Sequence, residues 1–317
     1  MHSRGCSTAD PLEAAFPPLI VVCGATATGK TGLSLALAEQ LQGAEIISAD
    51  SRQVYRRMDI GTAKATAAER ARVPHHGLDL VDPDQAFTAA DYQRAAVEAL
   101  RSIAARGGVA LLVGGTGLYL RAVARGMALG ETGRNERVRA GLERRLAGEG
   151  LHVLIAELRA GAPNVAAITD LSNSRRVVRA LERVSVHGDR LPPEPRGYPA
   201  RSVWIGLRLD PSENARRIAD RARAHFATGL LDEAAALRAI YSPLLPAFSA
   251  VGYREAFSVL DGSSSLEDAI ERDITRTRQL ARRQRTWFRS EPDIHWLDGS
   301  SDLLKSALAI AGAALAD

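Results

Sequence analysis

The chain has 317 residues, 46% hydrophobic and 25% charged, which is enough apolar chain for two domains or one large domain with an insertion and excludes global disorder. No apolar run reaches the roughly 18 residues of a membrane-crossing helix, and Asp10, Glu13 and Pro17-Pro18 break up any secretory leader, so a cytoplasmic location is expected; a monomer is the expectation for assembly, though the sequence does not fix the oligomeric state. Two cysteines, Cys6 and Cys23, exclude a disulfide framework and a four-ligand zinc site, and the net charge of +4 makes the chain mildly basic. Residues 1–16 read as a flexible leader. Residues 19–23 are a continuous apolar run, the pattern of a strand buried on both faces, and 24–31 form a glycine-containing turn after it. Leucines at 33, 37 and 41 predict a helix; 44–48 read as a second strand ending at Asp50-Ser51, and 78–81 as a weak third. Thr88 with Asp91 predicts a reciprocal cap that opens a helix to about Ala105. Residues 109–113 form another buried strand, closed by Gly114-Gly115-Thr116. The alternation predicts an α/β fold, a parallel sheet around a phosphate loop with flanking helices. Over 126–199 strands vanish, Arg rises, and Gly126, Gly130 and Gly133 at one end and Pro192, Pro193, Pro195 and Pro199 at the other mark a mostly helical insertion domain. It separates 17–125 from 200–317, which together form the catalytic core. Residues 202–209 read as a strand returning to the sheet, and Asp210-Pro211 starts a helix with a cap and a Pro in the favoured order. Ser265 with Asp268 caps a long helix to about Arg289, and 294–297 form the last strand.

Charge is unevenly spread. Residues 121–200 carry 14 basic against 9 acidic side chains, and 272–289 hold seven Arg against Asp273 alone. Two basic stretches on a neutral body suit a polyanion such as nucleic acid, as they also suit a solvated helix face. All but three of the 41 basic residues are Arg. A Lys is a compact point charge that Arg does not replace at a tight phosphate site. One of the three, Lys30, lies in the clearest motif of the chain.

That motif is Gly24-Ala25-Thr26-Ala27-Thr28-Gly29-Lys30-Thr31, which fits G-x-x-x-x-G-K-[ST] between a strand and a helix. In that context the ATP-binding-type loop offers backbone N–H groups and a helix N-terminus to a phosphate chain. Lys30 adds a positive charge, and the Thr31 hydroxyl is a Mg²⁺ ligand. A nucleotide hydrolase also needs an apolar strand ending in Asp to hold the metal; 109–113 end in Gly-Gly-Thr instead. The strand that ends in an acid is 46–50. At the carboxyl end of a parallel strand, Asp50 suits a metal ligand, a general base or a helix cap.

Seven stretches in register carry a resemblance. They are 24–31, Ser48-Ala-Asp-Ser-Arg-Gln-Val-Tyr55, Met58-Asp-Ile-Gly-Thr-Ala-Lys64, Pro74-His-His76, Leu112-Val-Gly-Gly-Thr-Gly-Leu-Tyr119, Val251-Gly-Tyr-Arg254 and 277–289. Together they resemble the bacterial tRNA dimethylallyltransferases (tRNA isopentenyltransferases) from about Leu19 to Leu297. The family usually has Pro and Ser where Ala25 and Thr28 stand and Pro where Ala65 stands, and its eukaryotic relatives carry a zinc finger absent here. The resemblance implies a nucleotide-type loop that binds the diphosphate of dimethylallyl diphosphate, not a nucleoside triphosphate. The dimethylallyl group would go to N6 of the adenosine at tRNA position 37, 3′ of the anticodon, with Mg²⁺ as cofactor.

The same resemblance makes Asp50 the general base. An adenine exocyclic amine becomes acidic only as the new C–N bond forms, so a carboxylate takes its proton late. Thr116, at a neighbouring strand end, orients the same amine. Lys30, the loop N–H groups, Arg217 and Arg221 face the leaving diphosphate; by spacing alone Arg217 and Arg221 are equally a surface pair one helical turn apart. The tRNA-contact set comprises Asp50, Ser51, Arg52, Gln53 and Thr116 at the site. It extends to Arg139, Arg175, Arg176 and Arg179 in the insertion, expected to clasp the anticodon stem-loop. Gly252, Tyr253, Arg254, Arg282, Arg283, Gln284, Arg285, Trp287 and Arg289 complete it. Arg with an interleaved aromatic suits backbone contacts and base stacking, although Trp287 and Phe288 equally suit core packing. Two other readings compete: a phosphate-loop kinase of small molecules, and an RNA-binding GTPase-like module, for which no N-K-x-D sequence is present.

Overall fold

The computed structural model describes residues 16–129, 135–299 and 302–316; the leader up to residue 15, Cys6, Gly130 and Gly133 lie outside them. In chain order come β1 (Leu19–Gly24), α1 (Lys30–Gln40), β2 (Ala44–Ser48), α2 (Ala67–Arg72), β3 (His75–His76), α3 (Ala89–Ala105), β4 (Val109–Gly114) and α4 (Gly117–Ala124). Four helices follow: α5 (Glu136–Glu149), α6 (Leu151–Gly161), α7 (Pro163–Ile168) and α8 (Ser174–His187). The chain then returns as β5 (Ser202–Arg208), α9 (Pro211–Ala227), α10 (Leu230–Arg238), α11 (Tyr253–Leu260), α12 (Leu266–Arg289), β6 (Ile294–Asp298) and α13 (Leu303–Ala316).

The strands form one parallel sheet in the order β3-β2-β4-β1-β5-β6. Every residue of β1 is buried, because side chains alternate between two apolar layers. Leu19, Val21 and Cys23 join a cluster with Tyr92, Leu100, Tyr119, Leu120, Phe257 and Phe288 from α3, α4, α11 and α12. Ile20 and Val22 join the opposite cluster with Leu33, Leu35 and Leu37 of α1 and Ala307 and Ala311 of α13. Among these layers the Cys23 thiol is pushed up to about 12 by burial.

The helix starts follow their caps. Thr88 and Asp91 form the reciprocal box at α3, and Asp210 caps α9 with Pro211 at its first position. Ser265 accepts from the Asp268 N–H to open α12. The expected strand at 78–81 is a correction. The third strand is His75–His76, after which Gly77 (φ 76°) and Asp79 (φ 55°) turn the chain, leaving Val81 a single bridge to Tyr55. Helix α13 is also unanticipated: its near-continuous apolar sequence lacks the polar face that marks a surface helix.

Residues 127–196 form a separate compact unit, and residues up to 126 with those from 197 form the other. The helical unit has its own core, in which Leu142, Leu154, Leu158, Val165, Val177 and Leu181 meet. Within it the fully buried Glu182 accepts from Arg139 and Arg179, each at 2.8 Å, and from the Asn135 N–H at 3.0 Å. Two cations and a backbone donor satisfy a carboxylate that would be costly to bury alone.

Candidate active site

The phosphate loop leaves β1 and runs into α1. A Cβ on Gly24 would stand 2.4 Å from the Leu207 carbonyl oxygen, and Gly24 has φ 142°, so only glycine fits. Ala27 holds φ 62°, a left-handed conformation unfavourable for Ala, and Gly29, at φ 95°, precedes Lys30. The surroundings hold this shape. The Thr26 N–H donates to Gln284 Oε1 at 2.8 Å, the Thr26 carbonyl accepts from Asn214 Nδ2 at 3.0 Å, and the Thr26 hydroxyl accepts from Arg221 Nη2 at 2.7 Å. The Thr28 hydroxyl donates to the Ala25 carbonyl at 2.9 Å, joining the two loop positions at which this sequence departs from the family pattern.

The ends of β2 and β4 are joined through backbone. Ala49 N–H donates to the Val113 carbonyl at 2.7 Å, and Thr116 N–H to the Ala49 carbonyl at 3.2 Å. A Cβ on Gly114 would lie 2.1 Å from that Ala49 oxygen, so the close approach requires glycine. It sets Thr116 beside Asp50-Ser51, and the Thr116 hydroxyl accepts the Ser51 N–H at 3.1 Å. Asp50 Oδ1 accepts the Arg52 N–H at 2.8 Å, a local turn cap rather than a helix cap.

Lys30, Thr31, Asp50, Thr116, Arg217 and Arg221 all line one cleft of about 880 Å³ at the carboxyl edge of the sheet. Ligands bind at this edge of open α/β sheets, where strand order reverses, here around β1 and β4. Lys30 Nζ donates to the Ala25 carbonyl at 2.6 Å. Burial, with the nearby Arg221 charge, lowers the Lys30 pKa to about 8, while Asp50 works in the opposite sense. Arg217 Nε donates to Glu213 at 2.7 Å. The cleft also holds residues that the sequence reading passed over: Asn214 through its grip on the loop, and Asp273, Thr277 and His225 in the lining. Burial pushes Asp273 up to about 6, against the Thr277 hydroxyl at 3.0 Å and the Arg221 charge. Burial and Arg221 lower His225 to about 4. Two of these residues had a signal: Asp273 as the sole acid within the arginine run of 272–289, and Thr277 as the first residue of the stretch 277–289.

Among the described residues no three His, Cys, Asp or Glu side chains are grouped to hold a metal. The donors present suit a different arrangement. The Thr31 hydroxyl on the cleft wall is a hard oxygen of the kind Mg²⁺ takes when phosphate oxygens and water fill the rest of its shell.

Several expected RNA contacts turn inward instead. Tyr253 is fully buried with its hydroxyl donating to Glu233 at 2.6 Å, a correction that removes its ring from any base. Trp287 is half-buried and packs where Gly117 lacks a Cβ, with the Arg121 guanidinium 4.5 Å from the ring centre. Gln53 accepts from the Ser48 hydroxyl at 2.7 Å and donates to the Thr62 and Ala63 carbonyls, each at 3.1 Å. Arg52 donates to the Pro246 carbonyl at 3.1 Å, and Arg139 and Arg179 serve Glu182. Gly252 holds φ 99° beneath Asp273. Arg254, Arg282, Arg283, Arg285 and Arg289 are exposed, as are Arg175 and Arg176 in the helical unit.

A family model described as IPP transferase matches residues 53–291. A tRNA dimethylallyltransferase of Roseiflexus sp. is 46% identical over 299 residues, covering 92% of this chain and 97% of that protein. The crystal structure of a full-length tRNA isopentenylpyrophosphate transferase from Bacillus halodurans superposes with a TM-score of 0.69 at 38% identity, covering 94% of this chain and 96% of that one. A eukaryotic dimethylallyltransferase acting on tRNA gives a TM-score of 0.79 at 26% identity, covering 95% of this chain and 80% of that one.

Proposed function

This chain belongs to the IPP transferase family, and from that membership we infer its reaction: transfer of a dimethylallyl group to an adenosine of tRNA. We propose dimethylallyl diphosphate as donor and N6 of the adenosine at position 37 as acceptor, with diphosphate and N6-dimethylallyladenosine as products. The observation that carries this reading is the meeting, in one cleft, of a carboxylate and hydroxyl pair, Asp50 and Thr116, with a cationic phosphate loop, Lys30 and Arg221.

In the proposed step the N6 lone pair attacks C1 of the dimethylallyl group. The bond from C1 to the diphosphate oxygen breaks, and its electron pair leaves with the diphosphate. The N6 proton passes to an Asp50 carboxylate oxygen as the C–N bond forms. Thr116 orients the amine. Lys30, Arg221, Arg217 and the loop N–H groups stabilise the charge that gathers on the leaving diphosphate. The Thr31 hydroxyl would help hold a Mg²⁺ ion, which would supply further neutralisation of that charge.

A base inside a tRNA loop leaves its stack to reach such a site, and the exposed arginines of α12 and of the helical unit hold the flanking stem through phosphates. The same reading has one chain act alone in the cytoplasm, since a single copy supplies every side chain invoked and tRNA is processed there. The test is incubation of the purified protein with labelled dimethylallyl diphosphate, Mg²⁺ and unmodified tRNA. Label in the RNA supports the reading. Turnover of ATP with no label in RNA supports a phosphate-loop kinase instead.

A further inference from the structure

Gln284 enters the cleft from α12 with both ends of its amide committed. Oε1 accepts the Thr26 N–H at 2.8 Å, and Nε2 donates to the Gly115 carbonyl at 3.0 Å. One side chain thereby spans the phosphate loop and the turn that carries Thr116. The sequence makes room for it: a Cβ on Gly115 would lie 2.3 Å from the Gln284 nitrogen. One helical turn further along α12, Trp287 lies equally close to the position a Gly117 Cβ would take, so the helix docks on this turn at two glycines. A second link runs from the same helix. Arg285 donates to Asn214 Oδ1 at 3.1 Å, and Asn214 grips the Thr26 carbonyl. The Thr26 peptide is thus held at its N–H and its carbonyl, immediately before Ala27 with φ 62°.

Both bonds go to backbone, one on each of two loops, and they engage one of the amide's two N–H donors and one of the two lone pairs of its oxygen. We propose that Gln284 is a positioning residue: from α12 it sets the phosphate loop and the Thr116 turn in register with one another, and tRNA affinity does not depend on it. The inference rests on the reading of this cleft as the site of diphosphate displacement. It divides by function. Donor binding depends on the Thr26 end, because Lys30 and the loop N–H groups follow Thr26. Turnover depends on the Gly115 end, because Thr116 follows Gly115.

Two variants separate the ends. Gln284→Glu keeps an acceptor for the Thr26 N–H but sets a carboxylate oxygen against the Gly115 carbonyl. Gln284→Leu keeps most of the volume and loses both bonds. Inorganic diphosphate affinity by calorimetry, donor KM, kcat with tRNA, and tRNA Kd without donor are measured for each. In Gln284→Leu, diphosphate binding weakens and donor KM rises on the order of tenfold, the scale of one lost bond to a buried partner. In Gln284→Glu, donor KM stays within about twofold while kcat falls on the order of tenfold. The tRNA Kd is unchanged in both. Diphosphate affinity and donor KM in Gln284→Leu within about twofold of wild type overturn the proposal, as does weakened tRNA binding as the main effect. If the wild-type protein binds diphosphate and transfers nothing to tRNA, the reaction reading fails, while the diphosphate affinity of Gln284→Leu still decides the grip. Gln284→Met replaces Gln284→Leu if the latter does not fold.

Discussion

The Thr116 hydroxyl accepts the Ser51 backbone N–H at 3.1 Å, which ties it to the residue that follows Asp50. The bond uses one lone pair of the hydroxyl and leaves its proton and second lone pair for a ligand. In the proposed reaction, hydroxyl and carboxylate would address one acceptor amine as a pair.

Asp50→Asn keeps the shape and the Arg52 cap but accepts no proton, so single-turnover transfer falls on the order of 10²-fold or more with tRNA binding retained. Thr116→Ala costs roughly tenfold in the same assay. Thr116→Ser restores most of it, because serine still accepts the Ser51 N–H. An Asp50→Asn rate near wild type removes the general base from the reading.

Lys30 is charged below its pKa of about 8 and neutral above it. The donor diphosphate needs the charge, so donor kcat/KM falls as pH rises through that value, and Lys30→Ala is slow throughout with no such limb. ATP does not replace the donor in either protein. A strong ATPase activity abolished by Lys30→Ala would instead support the kinase.

Arg175 and Arg176 are exposed, whereas Arg139 and Arg179 serve Glu182. Replacing Arg175 and Arg176 with Ala raises the tRNA Kd and flattens the plot of log K against log salt by about one to two units. Diphosphate affinity does not change. A slope identical to wild type removes the helical unit from the RNA-binding surface and leaves α12. Arg139→Ala acts elsewhere, lowering the stability of the helical unit by loss of a partner to a buried carboxylate.

Asp273 is held at about 6 by burial, above the roughly 3.9 of an unfolded Asp. Between these values the folded state binds more protons than the unfolded, so this residue's contribution to stability is present below pH 4 and is lost as pH rises through 6. Asp273→Asn removes the dependence and keeps an acceptor for the Thr277 hydroxyl. Urea unfolding from pH 4 to 7 shows the variant gaining on wild type by about 2–3 kcal/mol across that range. Parallel curves would show that Asp273 is not the group responsible.

The phosphate loop, Asp50 and Thr116 are legible in sequence because each stands at the end of an apolar run, and the carboxyl edge of a parallel sheet gathers such ends. Gln53 and Gln284 are legible as members of motifs but not in their role. Their partners are N–H and carbonyl groups of distant loops, and a backbone atom leaves no mark of residue type. Tyr253 is misread for a related reason. An aromatic beside arginines has the same composition whether its ring faces RNA or, like Tyr253, packs against a glycine of another element, here Gly61. The 78–81 strand fails on backbone shape, since Gly77 and Asp79 at positive φ cannot continue a ladder.

The pairing of β5 with β1 sets an order of assembly. The register runs from Leu19 with Ser202 to Gly24 with Leu207, and the whole of residues 127–196 is synthesised between the two strands. A nascent chain that has completed β4 can pair one edge of β1, but the other edge stays unpaired and Gly24 lacks the Leu207 carbonyl against which it turns. The helical unit, with a core of its own, folds while that edge waits. A chain cut short before β5 would carry the motif intact in letters and absent in shape, and would present an open strand edge that invites pairing with other chains.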